Sequence, residues 1–159
     1  MIVGYRMAGV APLLFVYGSL RDPEVRTAVI GRDLPIHDVS AAWLDGHRLF
    51  RIHGRSYPMI VADPRGTVEG QLLTNLSRNE FRLLDAFEGS EYRRCPVSVR
   101  DATGRHIGAQ LYQPLRGLKR DRRPWSLNEW SSRERRAMLA RARIWRQCGR
   151  WTDNGASGA

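Results

Sequence analysis

Cysteine is scarce. The 159 residues hold two, Cys95 and Cys148, far apart in sequence. Two thiols can close one bridge at most, so a disulfide framework is excluded, and both read as reduced thiols packed like small hydrophobes. No paired Cys or His spacing marks a zinc site, and no metal ligand set is expected. No apolar run approaches the length that spans a bilayer, so no membrane partner is expected. Residues 7–17 are fairly apolar but run straight into a turn, without the small-residue pattern of a cleaved signal. The chain is therefore expected to be cytoplasmic. Internal repeats and low-complexity stretches are also lacking.

Acidic residues are scarce in one region only. Residues 114–151 carry 12 Lys+Arg against 3 Asp+Glu, whereas the rest of the chain is nearly balanced, with 14 against 13. The net charge of +10 thus belongs to a C-terminal segment and not to the whole domain. Such a segment can meet polyanions or simply stay solvated. Its tryptophans, Trp125, Trp130, Trp145 and Trp151, interleave with arginines, a mixture that either stacks on bases or packs a helix by its aromatic side. Packing is the favoured reading, and a nucleic-acid partner is not expected.

The length fits one domain with one core, and 42% hydrophobic residues is ordinary for a globular chain. Residues 1–12, with Gly4, Gly9 and Pro12, read as a loose leader, and 152–159 as a frayed tail. Leu13 to Tyr17 is a short buried strand that ends at Gly18. Asp22 caps the next helix, Pro23 occupies its first position, Val25, Val29 and Ile30 form its apolar face, and Gly31 stops it. Strand-like segments follow at about 39–44, 47–53, 57–62, 67–74, 95–100 and 106–113. Asp45-Gly46, Asp63-Pro64-Arg65-Gly66 and Asp101 to Gly104 read as turns between them. Hairpins at this density predict an α+β fold: a small, mainly antiparallel β-barrel with packed helices. One helix interrupts the strands. Ser77-Arg78-Asn79-Glu80 is its capping box, Phe81, Leu84 and Phe87 its buried side, and Gly89 its end. A last helix is expected over about 132–148, with Met138, Ala142 and Trp145 on one stripe. Residues 114–130 read as irregular.

Two segments carry chemistry. Positions 81, 84 and 88 share one helical face, so Glu88 points inward beside Phe81 and Leu84, with Asp85 on the flank. Burial raises a carboxyl pKa and makes it a better proton acceptor near neutrality. The alternative is a carboxylate paired with Arg93 or Arg94 at a seam. In Tyr17-Gly18-Ser19-Leu20, a strand delivers the chain to a glycine without a Cβ to block a ligand, and the following N–H groups can converge on an oxyanion. Taken alone, this is also an ordinary strand-to-helix connection.

The order Phe15-Val16-Tyr17-Gly18-Ser19-Leu20, then Tyr57-Pro58, then Leu84-Asp85-Ala86-Phe87-Glu88-Gly89-Ser90-Glu91-Tyr92-Arg93-Arg94, resembles the γ-glutamylcyclotransferase-like superfamily. Its AIG2-like and γ-glutamylamine cyclotransferase branch is the nearest. The resemblance covers about 13–113, through Gln110-Leu111-Tyr112, and leaves 114–151 as a basic extension with one helix packed on the barrel domain. It implies a β-barrel enzyme without cofactor. The substrate's α-amine attacks its own γ-glutamyl carbonyl, giving 5-oxoproline and a free amine or amino acid. It also implies roles. Glu88 is the base, N–H groups of Gly18, Ser19 and Leu20 receive the oxyanion, and Tyr17, Tyr92 and Tyr112 shape the pocket with hydroxyls toward the substrate. Ser19-Leu20 stands where glutathione-linked branches carry Ser-Asn-Leu, which separates the chain from those substrates. Two other functions compete: a non-catalytic binder of a small acid or amine in the same pocket, and a basic nucleic-acid-associated module built on 114–151.

Overall fold

The computed structural model describes residues 11–148. Six strands and four helices follow in order: β1 (Leu14–Val16), α1 (Pro23–Ile30), β2 (Val39–Ile52), β3 (Pro58–Leu73), α2 (Arg78–Glu88), β4 (Tyr92–Asp101), β5 (His106–Pro114), β6 (Arg120–Pro124), α3 (Leu127–Arg133) and α4 (Arg135–Cys148). The first five strands close into a ring in which β3 pairs with β1, β1 with β5, β5 with β4, β4 with β2, and β2 again with β3. Only β1–β5 is parallel among the described strands, and β6 lies antiparallel on the far half of β2. The expected α+β barrel with packed helices is the observed architecture.

Period-two alternation sorts the core into two layers. Phe15, Leu44, Leu72 and Leu111 fill one cluster, enclosed by the strands. Leu14, Val16, Leu73 and Tyr112, their neighbours along the strands, face a second cluster shared with the helices. That second cluster takes Val25 and Val29 from α1, Phe81 and Leu84 from α2, Trp130 from α3, and Met138 and Trp145 from α4.

The local helix signals act as the sequence predicts. Asp22 caps α1 by accepting from the N–H groups of Glu24 and Val25, and Gly31 ends it in the left-handed region at φ 88°. Ser77 and Glu80 form the reciprocal capping box of α2. Glu80 also accepts from Arg32, which joins α1's exit to α2's start.

Three expectations need correction. Asp45-Gly46 is no hairpin. The register runs from Asp45↔Thr67 to His47↔Ala62, so Gly46 alone is opposed by residues 63–66. Both Asp-Gly and Asp-Pro-Arg-Gly are therefore absorbed in one large bulge of a continuous β2–β3 pair, and the chain reverses at 53–57 instead. Gly66 is needed there because a Cβ would stand 2.2 Å from the His47 carbonyl oxygen. Second, 114–130 is not wholly irregular: it contains β6 and the start of α3. Third, α4 begins at Arg135, because Glu134 breaks the helix with φ −122°.

Cys95 is a free thiol. The expectations for residues 1–10, the Cys148 side chain, Trp151 and the tail fall outside the described residues. No helix among the described residues is long and apolar enough to cross a membrane.

Candidate active site

The strand β1 is wholly buried, and its apolar run ends at Tyr17, which packs with Phe15 in the cluster enclosed by the strands. Gly18 follows with φ −113° and ψ −141°, a conformation that does not itself demand glycine. Space demands it: a Cβ at Gly18 would lie 2.9 Å from Pro58 Cγ. The glycine therefore admits the Pro58 ring, where the sequence suggested room for a ligand. Ser19–Arg21 then form one 3-10 turn, closed by the Arg21 N–H to the Gly18 carbonyl and the Asp22 N–H to the Ser19 carbonyl, each 3.0 Å. The N–H groups of Ser19 and Leu20 open this turn and have no acceptor within it. The Ser19 hydroxyl, on a residue 8% exposed, bonds no other described residue.

The other wall comes from α2 and β4. Glu88 is the last residue of α2, one turn beyond the buried Leu84. It lines one pocket together with the six other residues proposed for the site: Tyr17, Gly18, Ser19, Leu20, Tyr92 and Tyr112. Phe15 and Val16 of β1, with Tyr57 and Pro58 at the entry to β3, complete it. No hydrogen bond or ion pair joins the Glu88 carboxylate to another described residue. Burial, and then the charge of Asp85, push its pKa up to about 8. Arg94, the partner that a seam carboxylate would take, is committed elsewhere. It grips Asp85 at 3.0 and 3.2 Å, donates to Gln110 Oε1 at 2.8 Å and lies over the Phe81 ring.

The tyrosine hydroxyls are also committed, which revises the expectation that they face a substrate. Tyr17 donates to the Tyr112 carbonyl and Tyr92 to the Pro58 carbonyl. Tyr112 donates to Asp85 Oδ1 at 2.7 Å. Burial is the main cause holding all three phenols protonated, with pKa values above the ordinary tyrosine range. These bonds tie β1, β3, β4, β5 and α2 into one rigid frame. What the pocket residues keep without a partner among the described residues is one acid, a serine hydroxyl and the N–H groups of Ser19 and Leu20.

Sequence reading missed two supports. Arg26 is 6% exposed, and its Nη1 donates to the carbonyls of Leu20 and Arg21 at 3.0 and 2.9 Å and to Gln71 Oε1 at 2.8 Å. The signal was available, since 26, 29 and 30 follow helical spacing and two of the three are apolar. The second support is Glu91, which accepts from both Arg55 and Tyr57 and so pins the β2–β3 hairpin tip beside the pocket. No local pattern marks that pairing.

A closed five-stranded barrel with a half-buried acid sharing a pocket with a Gly-Ser turn defines the γ-glutamylcyclotransferase-like class of fold. The chain belongs to the family described as gamma-glutamyl cyclotransferase, AIG2-like, whose model matches residues 14–132. It is 34% identical to AIG2-like protein A of Arabidopsis thaliana over 119 residues, which is 74% of this chain and 70% of that protein. It spans about half the length of further Arabidopsis relatives, such as the 43% identical AIG2-like protein C. Among solved structures it resembles an Arabidopsis thaliana protein determined in solution, with TM-score 0.61 and 29% identity over 87% of this chain and 92% of that one. A solved gamma-glutamyl cyclotransferase shares the fold at TM-score 0.57 and 18% identity, covering 69% of each chain.

Proposed function

We propose that this protein is a γ-glutamyl cyclotransferase that converts a γ-glutamyl amide to 5-oxoproline and a free amine or amino acid. One observation carries the reading: the uncommitted Glu88 carboxylate shares its pocket with the unspent amides of Ser19 and Leu20. The substrate's α-ammonium binds beside Glu88 and gives it a proton. The freed amine attacks the γ-carbonyl carbon, forming the ring C–N bond. The carbonyl oxygen becomes an oxyanion, received by the Ser19 and Leu20 N–H groups, with the Ser19 hydroxyl beside them. As the tetrahedral centre collapses, the bond to the leaving nitrogen breaks. Glu88 returns the first proton to that nitrogen and then carries the second from the ring nitrogen to it, so the lactam keeps one N–H and the amine departs as an ammonium. The step balances without water, oxidant or other reactant. The rings of Tyr17, Tyr92 and Tyr112 bound the glutamyl methylenes, and Gly18 with Pro58 closes the side of the pocket.

With a pKa of about 8, Glu88 is mostly protonated in the empty pocket at neutral pH. An ammonium arriving beside it favours the carboxylate. The profile of kcat/KM is therefore expected to rise with pH, bend near 8 and level about one unit above it, while the corresponding limb of kcat lies lower. The assay is release of 5-oxoproline from a panel of γ-glutamyl amines and γ-glutamyl amino acids. Glu88→Gln is expected to lower kcat by about 10²–10⁴. Full activity in that variant would remove Glu88 as the base. No turnover of any panel member, with saturable binding, would favour a non-catalytic pocket.

A further inference from the structure

Arg26 is a buried cation with no carboxylate bonded to it. Asp22, the acid whose charge it feels, is itself gripped by Arg135 at 2.6 Å. Every hydrogen bond of Arg26 ends on a neutral oxygen, two of them carbonyls of the turn that bounds the pocket. Burying a cation this way is costly, and nothing in α1's own packing requires it. What the guanidinium gains is contact with one particular piece of main chain.

The hydrogen bonds of that turn form two relays. In the first, Arg26 donates to the Leu20 carbonyl. The N–H of the same peptide group, on Arg21, donates to the Gly18 carbonyl, and the N–H of that next peptide group belongs to Ser19. In the second, Arg26 donates to the Arg21 carbonyl. The attached Asp22 N–H donates to the Ser19 carbonyl, and the N–H of that peptide group belongs to Leu20. Each relay starts at the buried cation and ends at an amide on a pocket residue. Serial hydrogen bonds polarise one another, and in a buried site the effect is little screened.

We propose that Arg26 is the positioning residue of the oxyanion cradle, holding the Ser19 and Leu20 amides in place and transmitting its charge to them through two peptide relays. This rests on the cyclotransferase reading and adds to it the group that prepares the donors. Arg26 acts only through the turn and touches no substrate atom.

The test uses the full chain with Arg26→Met, Arg26→Lys and Arg26→Gln. Lysine keeps a charged donor, glutamine a neutral donor, and methionine neither. On an accepted substrate, Arg26→Met is expected to lower kcat about tenfold while KM changes less than about threefold, with most of the loss restored in Arg26→Lys. Backbone NMR supplies a readout independent of turnover. The amide resonances of Ser19 and Leu20 are expected to move upfield in Arg26→Met, return toward wild type in Arg26→Lys, and respond less to added 5-oxoproline in the methionine variant. Unmoved amides in a folded Arg26→Met protein overturn the proposal, whatever happens to kcat. Should Arg26→Met fail to fold, the lysine and glutamine variants decide: equal amide positions and equal kcat in the two would show that no charge is transmitted. If wild type releases 5-oxoproline from no γ-glutamyl compound, the cyclotransferase reading fails, and the amide shifts still judge Arg26.

Discussion

At the scale of single residues, Glu88 opposes folding in the same state in which it is proposed to work. Its carboxyl titrates near 8 in the fold against 4.5 for a free side chain. Between those values the folded protein binds more protons than the unfolded chain, so stability falls as pH rises through this window. The contribution is fully present below about 4.5 and is lost as pH passes 8. Glu88→Gln removes the titration. The variant is expected to match wild type near pH 5 and to exceed it at pH 9 by roughly 2 kcal/mol, a figure reduced for solvent reaching the open side of the pocket. For a chain of this length that is about 4–8 °C in melting temperature. Thermal melts at both pH values check it. An equal difference at both would mean that the carboxyl is not perturbed in the fold. Asp85, three residues earlier, shows the contrast. It keeps its charge company with Arg94 and a tyrosine hydroxyl, so one helix end carries a committed acid and an uncommitted one.

At the scale of elements, what sequence could reveal depended on how local the cause was. The caps of α1 and α2 involve residues two to four apart, so Asp22, Pro23, Gly31, Ser77 and Glu80 were readable. So was the inward direction of Glu88, fixed by helical period. The β2–β3 bulge was not readable. Asp-Gly and Asp-Pro-x-Gly are turn signals wherever they occur, and only the non-local pairs Asp45↔Thr67 and His47↔Ala62 tell that these two face one another inside a continuous ladder. The pocket's residues were named by motif, but the commitment of its tyrosine hydroxyls was hidden, because each acceptor lies 27 or more residues away. The hairpin tip at 53–57 illustrates the same limit. It is fastened from the residues that flank the distant strand β6: the His53 N–H reaches the Lys119 carbonyl at 2.7 Å, and the Trp125 indole N–H reaches the Ser56 carbonyl at 2.9 Å. Trp125→Phe keeps most of the buried ring but leaves that carbonyl without its donor, at a cost of about 1–2 kcal/mol. The expected signature in hydrogen exchange is faster exchange confined to 53–57, with α1 and α2 unchanged. Because Tyr57 and Pro58 leave this tip to line the pocket, KM is expected to rise in the same variant.

At the scale of the molecule, the basic C-terminal segment is part of the core. Its charge and its packing occupy different sides of the same elements. Trp125, Trp130 and Trp145 are each at most 6% exposed, so the three described tryptophans of the segment are spent on packing and are not open to stack on bases. They join Leu14, Val16 and Leu20 in one cluster, which means that β1 and the turn of the pocket rest partly on residues beyond 113. Polar ties reinforce this. Arg135 binds the α1 cap Asp22 at 2.6 Å and Glu24 at 2.8 Å, and Arg146 donates to the Val29 carbonyl at α1's end. A chain ending at Pro114 would lose Trp125, Trp130, Met138, Leu139 and Trp145 from the cluster. At about 1.5–3 kcal/mol for each large apolar side chain, that loss rivals the roughly 5–15 kcal/mol that holds a domain of this size together. The truncated protein is expected to keep some strand signal in far-UV circular dichroism, lose its near-UV signal and bind a hydrophobic dye. A cooperative melt and dispersed amide spectrum from that fragment would show instead that the barrel stands alone, and that the helices after it only cover an already complete site.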